Sequence, residues 1–349
     1  MSHRTFARAA TSLAALSLVF AASPANAQEP ERHLLHGDRI TIWNLVGRAT
    51  IEATTGNAVV VEVTRGGSDR RDIRIRAEDG QFSVMYPDRT IVYREGPGTF
   101  DTRLTVYREG RFTDEGGAFP VRIRSTGGGL DAHADLRILV PRGKVVTVNI
   151  AVGMIDASNV NGDLTLRSRF SRIHVLSHAG DLTANSGAGR IQIEGATGDV
   201  RAATGSGSIE LADIKSAILR ASTGSGRITG RRIETERLEA SSGSGGITLD
   251  VVTARNVRST SGSGSVRLDL RQVPRDLTSR SGSGSVEVSL PSEVNAEIDI
   301  TTGSGGISSE FPVTMESVRR RELRGRIGTG ADGFLRVSTG SGSVRILQR

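Results

Sequence analysis

Asp163, Asp181 and Asp199 each follow a glycine and lie 18 residues apart. Carboxylates stacked one strand apart, at about 4.8 Å, repel one another unless a cation or backbone N–H groups offset their charge. In register these three would form a calcium or sugar-amine contact. The plainer reading is that each aspartate caps amides in its own turn. His174 and His178 lie near Asp181 in sequence and invite a metal reading. His174 is expected to point outward beside Ile173, however, and His178 to sit in a turn without a partner. A basic group, Arg319, Arg320, Arg321, Arg324 and Arg326, suits an anionic partner such as a lipid headgroup or acidic glycan, or simply a solvated loop.

The run Gly328-Thr329-Gly330-Ala331-Asp332-Gly333 has the letters of a dinucleotide fingerprint. That chemistry needs a helix N-terminus after the glycines to hold the pyrophosphate. Phe334-Leu335-Arg336-Val337 reads as a strand, so no nucleotide is expected, nor any other cofactor. The Gly-Ser runs lack the alternating Asp of calcium-binding nonapeptide repeats. Glycan hydrolysis on a rod of strands requires acids gathered in one cleft. The outward positions Thr183, Arg201, Arg220, Glu239, Arg258, Thr278 and Asp299 instead change sign from coil to coil. The expectation is therefore a protein that is not an enzyme.

What positions these residues is a repeat. The first apolar residue after each turn recurs at Ile155, Ile173, Ile191, Ile209, Ile228, Ile247, Val266, Val286, Ile307, Ile327 and Val344, in steps of 17 to 21 residues. Nine residues before each lies another: Val146, Leu164, Leu182, Val200, Leu219, Leu238, Val257, Leu277, Ile298, Val318 and Leu335. A period in this range marks a solenoid, in which each coil stacks on the last. The sequence thus predicts an all-β, parallel β-solenoid of about eleven coils, with two strands per coil joined by Gly-Ser-Gly turns. Glycine fits such turns because it tolerates positive φ and has no Cβ to strike the turn above. Inward small residues (Ala184, Ala202, Ala221, Ala240, Ser259, Ser279) and a hydroxyl column five residues before each anchor are expected to stack on themselves. Residues 311–327 keep the nine-residue spacing and read as a degenerate coil carrying the basic loop.

Before the repeats, residues 28–144 are strand-like but aperiodic and predict an N-terminal β cap, with the solenoid over residues 145–349. The single Trp43 and all three tyrosines fall in this segment. They suit an aromatic binding face or, as the better fit, a plug for the open end of the coil. Arg4 and Arg8, the apolar run from Ala9 to Ala22 and Ala25-Asn26-Ala27 predict a signal peptide over residues 1–27. The mature chain then carries no apolar stretch long enough to span a bilayer. With no cysteine there is no disulfide framework and no lipid anchor on sulfur. The net charge of +7 comes almost wholly from arginine; export and the absence of aromatics among the arginines exclude nucleic acid.

Ala134-Asp135-Leu136-Arg137-Ile138-Leu139-Val140-Pro141, followed by coils such as Asn161-Gly162-Asp163-Leu164-Thr165-Leu166-Arg167-Ser168, resembles the bacterial adhesin-like domain family with repeated β-strands, a domain of unknown function. The closing Gly325 to Gly330 and Leu335 to Ile346 fit as well, and the likeness spans about residues 36–349. It implies a β-solenoid exported to the periplasm or cell surface and brings no catalytic motif. The expected function is a non-enzymatic envelope or surface binding module, with envelope glycan, a lipid headgroup or another envelope protein as partner. The rival readings are a polysaccharide-active β-helix enzyme and a periplasmic partner in envelope-stress signalling.

Overall fold

The computed structural model describes residues 30–349, except 79, 97, 113–117, 320 and 331. The stretch expected as a signal peptide therefore lies outside the described residues. Among those described there is no α-helix, only the short 3-10 turn Arg70–Asp72. Among the described residues no helix is long and apolar enough to cross a membrane.

The anchors do stack. Ile155 pairs with Ile173, Ile173 with Ile191, Ile191 with Ile209, Ile209 with Ile228 and Ile228 with Ile247, all in parallel register. Each of these isoleucines is fully buried, a gain of about 1.5–3 kcal/mol per side chain. The stack extends below Val145, because Arg39–Thr54 pairs in parallel with Lys144–Ser158, Ile40 against Val146 and Ala49 against Ile155. Eleven rungs at about 4.8 Å make a rod of about 50 Å.

The Gly-Ser-Gly turns hold tighter packing than positive φ alone would demand. None of Gly205, Gly207, Gly224 or Gly226 is left-handed. A Cβ on any of them would overlap the carbonyl oxygen of the glycine one rung earlier, so glycine is required here by the rung spacing. The hydroxyl column does not bond hydroxyl to hydroxyl. Thr223 Oγ1 accepts the Gly226 amide at 3.0 Å and donates to the Gly207 carbonyl of the previous rung at 2.9 Å. Ser242, Ser261 and Ser281 repeat the same pair of bonds. Each hydroxyl thus staples its own turn to the one below and leaves no buried polar atom unpaired.

Rungs two to seven also have a third, short side. Asn159, Ser177, Gly195, Asp213, Arg232 and Val251 all take left-handed φ between 51° and 70°, one above another. This corner turns the next residue inward, so Val160, His178, Ala196, Ile214, Ile233 and Val252 form a further buried column.

Rung order departs from chain order at the C-terminal end. Gly333–Thr339 lies between Asp276–Ser281 and Ala296–Thr302, and Val344–Gln348 lies between Val286–Leu290 and Ile307–Ser309. The last rung of the sequence is thus the penultimate rung of the rod. Val318 and Ile327 keep the repeat spacing but form no rung. Val313–Arg319 and Glu322–Ile327 make an antiparallel hairpin, and Glu322–Ile327 closes the end against Ala296–Thr302, also antiparallel.

At the other end His133–Pro141 and Gln81–Met85 pair on Arg39–Thr54, and Val59–Gly66 and Glu31–Leu35 extend the sheet. The aromatic residues lie elsewhere than the plug expected for them. Tyr86, Tyr93, Phe100 and Phe112 build a second core beside the rod, under the three-stranded sheet of Thr90–Val92, Phe119–Arg124 and Asp101–Val106. That core rests on Leu45, Val46, Ala151, Val152 and Phe170, the turn residues of the first three rungs. Higher rungs place Ser206, Ser225 and Ser244 at the same turn position, where no lobe covers them.

Candidate functional site

The three aspartates are one column, and their carboxylates serve the backbone. Asp163 Oδ1 accepts the Asp181 amide at 3.2 Å, Asp181 Oδ1 the Asp199 amide at 3.1 Å, and Asp199 Oδ1 the Ile218 amide at 2.8 Å. No three His, Cys, Asp or Glu side chains converge on a common point among the described residues. His174 faces outward, with Nδ1 3.9 Å from Asp156. His178 is not in an open turn; it fills the third-side column and is 2 % exposed. Neither of its ring nitrogens meets a partner in full hydrogen-bond geometry among the described residues. Burial pulls its pKa below the ordinary histidine value, against the opposing pull of the nearby Asp181 and Gly180 backbone and of the Asp163 and Asp181 carboxylates.

The basic group is divided. Arg324 contacts Glu322 at 2.8 Å and Asp299 at 3.4 Å, and Arg326 contacts Glu316 at 2.8 Å. Arg319 and Arg321 are exposed and meet no carboxylate among the described residues; Arg320 lies outside them.

A different site emerges where the lobe meets the rod. Trp43 is the only tryptophan in the chain. It lies half-buried on the strand Arg39–Thr54, in register between Asn149 of the next rung and Ser83 of the cap. Its position is outward, alternating with the buried Ile42. The indole packs against the second core. A depression of about 580 Å³ opens on the side toward the rod, lined by Trp43, Phe112, Thr147, Asn149, Arg167 and Asn185 among others. A smaller one of about 140 Å³ lies on the far side of Trp43.

Period two supplies the rest of this face. Thr41 and Trp43, Thr147 and Asn149, Thr165 and Arg167, Thr183 and Asn185 occupy equivalent outward positions on four successive rungs. Asn149 is anchored by its amide nitrogen to the Ile42 carbonyl at 3.1 Å, so its orientation is set. Higher on the same wall the outward residues pair with one another, as Arg220 with Glu239 at 2.9 Å. The lower four rungs therefore present hydroxyls, amides and the Arg167 guanidinium next to an indole, in rows one strand spacing apart. An apolar ring face beside hydrogen-bonding groups of both kinds is what sugar rings require: C–H faces stack on the indole and hydroxyls bond to the amides.

The smaller depression holds two carboxylates. Glu78 is bonded by Arg76 at 2.7 Å, and Glu109 lies 3.8 Å from Arg111. Sequence alone showed aromatics in this region. It did not show that Thr147, Asn149, Arg167 and Asn185 would stand over Trp43, because the segment containing Trp43 has no repeat to set its register.

A closed stack of parallel rungs with a lateral lobe defines a β-solenoid with one differentiated face. The chain belongs to the Toastrack DUF4097 family, whose model matches residues 130–347. No curated protein matches the sequence. Among solved structures it is similar to a candidate cell adhesion protein from Clostridium sporogenes, at 9 % identity and a TM-score of 0.22, covering 92 % of this chain and 100 % of that one. A candidate lipid-binding protein from Parabacteroides distasonis is also similar, at 14 % identity and a TM-score of 0.37, covering 92 % and 98 %. So is a candidate adhesin from Bacteroides fragilis, at 10 % identity and a TM-score of 0.31, covering 91 % and 96 %.

Proposed function

We propose that this protein is an exported, non-catalytic binding module of the bacterial envelope, and that its ligand is an envelope glycan bound along the face beside Trp43. The observation that supports this most is the row of Thr, Asn and Arg side chains next to the half-buried Trp43 indole. The N-terminal pattern of residues 1–27 supports export. An extended polymer suits the face because its hydrogen-bonding rows recur at one strand spacing, so consecutive sugars meet equivalent groups. Arg167 favours a glycan that carries carboxylate or phosphate.

The test is an array of bacterial envelope glycans probed with the intact protein and with Asn185→Ala. Binding should be selective for a polymer and weaken in the variant. Equal binding by both, or none, contradicts the reading. Glu78 and Glu109, two carboxylates lining the smaller depression, favour one rival, cleavage of the same polymer. Recovery of the glycan intact after incubation supports binding alone, whereas release of shorter products would make the protein an enzyme. Arg319 and Arg321, exposed and without carboxylate partners among the described residues, support a second contact with anionic headgroups. Sedimentation with phosphatidylglycerol vesicles, compared with Arg319→Ala/Arg321→Ala, tests that contact separately.

A further inference from the structure

The rung formed by residues 333–349 sits between two rungs that the chain joins directly through residues 291–295. Its inserted position shows in every layer of the turn. Gly340 packs over Gly282, and Gly303 packs over Gly340. Thr339 Oγ1 donates to the Gly284 carbonyl at 2.7 Å, and Thr302 Oγ1 donates to the Gly342 carbonyl at 2.9 Å. Leu335, Val337, Val344 and Ile346 are all fully buried.

The two walls of the slot are chemically alike: Ser281-Gly282-Ser283-Gly284 on one side and Thr302-Gly303-Ser304-Gly305 on the other. The filler, Thr339-Gly340-Ser341-Gly342, has the same pattern. Nothing in the slot depends on the filler coming from its own chain. The connection that carries it in is short and glycine-rich. Gly328 and Gly330 are left-handed, at φ 60° and 76°. Asn295 fastens this segment by accepting the Thr329 amide at 3.0 Å and donating to Asp332 at 3.2 Å. Gly328 and Gly330 thus stand at the hinge of an inserted strand pair.

We infer that the C-terminal rung is exchangeable between copies of this chain, residues 333–349 of one filling the slot between the 277–290 and 298–309 rungs of another. The contacts made are identical in cis and in trans. Exchange therefore costs only the joining of two chains and the rotation of the hinge, the condition under which identical elements swap.

The chain has no cysteine, so introduced ones report on this alone. Arg280 and Ser338 are register partners on the outer face. Full-length Arg280→Cys and full-length Ser338→Cys are unfolded together, refolded as a mixture, fractionated by size and oxidised. The expected result is a dimer fraction that grows with protein concentration and yields a covalent heterodimer on a non-reducing gel. Mixing the two proteins without unfolding serves as the control. Only monomers, or dimers that never cross-link, would overturn the inference. Should either variant fail to fold, unlabelled and 15N-labelled wild-type chains refolded together answer the same question by native mass spectrometry. A dimer of intermediate mass supports exchange, and its absence at every concentration overturns it.

Discussion

The Thr339 hydroxyl donates to the Gly284 carbonyl at 2.7 Å across 55 positions of sequence, while Thr302, between them in the chain, bonds Gly342 instead. From the Ser186 rung onward one staple chemistry thus runs unbroken even where the chain leaves its own order. Stability is a property of the stacked columns, and each column can be interrogated at a single residue.

Gly226 is one such residue. A Cβ there would overlap the Gly207 carbonyl of the neighbouring rung, whereas one on Gly306 meets nothing within 4 Å. Gly226→Ala should cost about 2–4 kcal/mol in urea unfolding, and Gly306→Ala about 0.5 kcal/mol or less. Equal effects would show that the turns do not pack as closely as described.

Thr223→Val keeps shape and removes the staple. The Gly226 amide and the Gly207 carbonyl would both lose a partner, at a cost of about 1–3 kcal/mol. Thr223→Ser retains both bonds, as serine does at positions 186, 242, 261 and 281, and should lose less. Matching losses for the two variants would assign the column a role in packing alone.

His178 makes stability depend on pH. Its folded pKa lies below the unfolded value because burial disfavours the charged ring. Between the two values the unfolded chain binds more protons, so stability rises with pH there. The contribution is complete above about pH 6.5 and is lost as pH falls from there through the lowered folded pKa. His178→Leu, at a position filled by Val160 and Ile214 in other rungs, should flatten this slope. Denaturation of both proteins from about pH 5 to about pH 8 measures it, and parallel curves would contradict the assignment.

Asp181→Asn preserves the oxygen that accepts the Asp199 amide. It should change stability by less than about 0.5 kcal/mol, and Asp181→Ala should cost about 1 kcal/mol. Added calcium should shift the melting temperature of neither protein relative to wild type. A calcium-dependent rise in wild type that Asp181→Asn abolishes would make the column a cation site.

The period was legible because a parallel rung needs an apolar residue at the same place in every turn, and Ile155 through Ile247 supply it without exception. The rung order was not. Ile298 to Ile307 and Leu335 to Val344 have the same spacing, and spacing carries no address. Val318 and Ile327 keep that spacing too, yet pair in an antiparallel hairpin, since the nine-residue interval alone fixes neither direction nor partner. The left-handed corner was invisible because Asn159, Asp213, Arg232 and Val251 share a backbone conformation and no side-chain type. Trp43 could be noticed but not placed. Its neighbours Asn149 and Asn185 come from coils 100 and more residues away, and only the parallel register of Arg39–Thr54 on Lys144–Ser158 brings them together.

Because Trp43 is the chain's one indole, its fluorescence reports directly on the proposed binding face. Titration with oligosaccharides of the array-selected envelope glycan should shift or quench that emission saturably, and Asn185→Ala should raise the half-saturation concentration. Binding detected by calorimetry that leaves the Trp43 emission unchanged would place the ligand elsewhere and contradict the account.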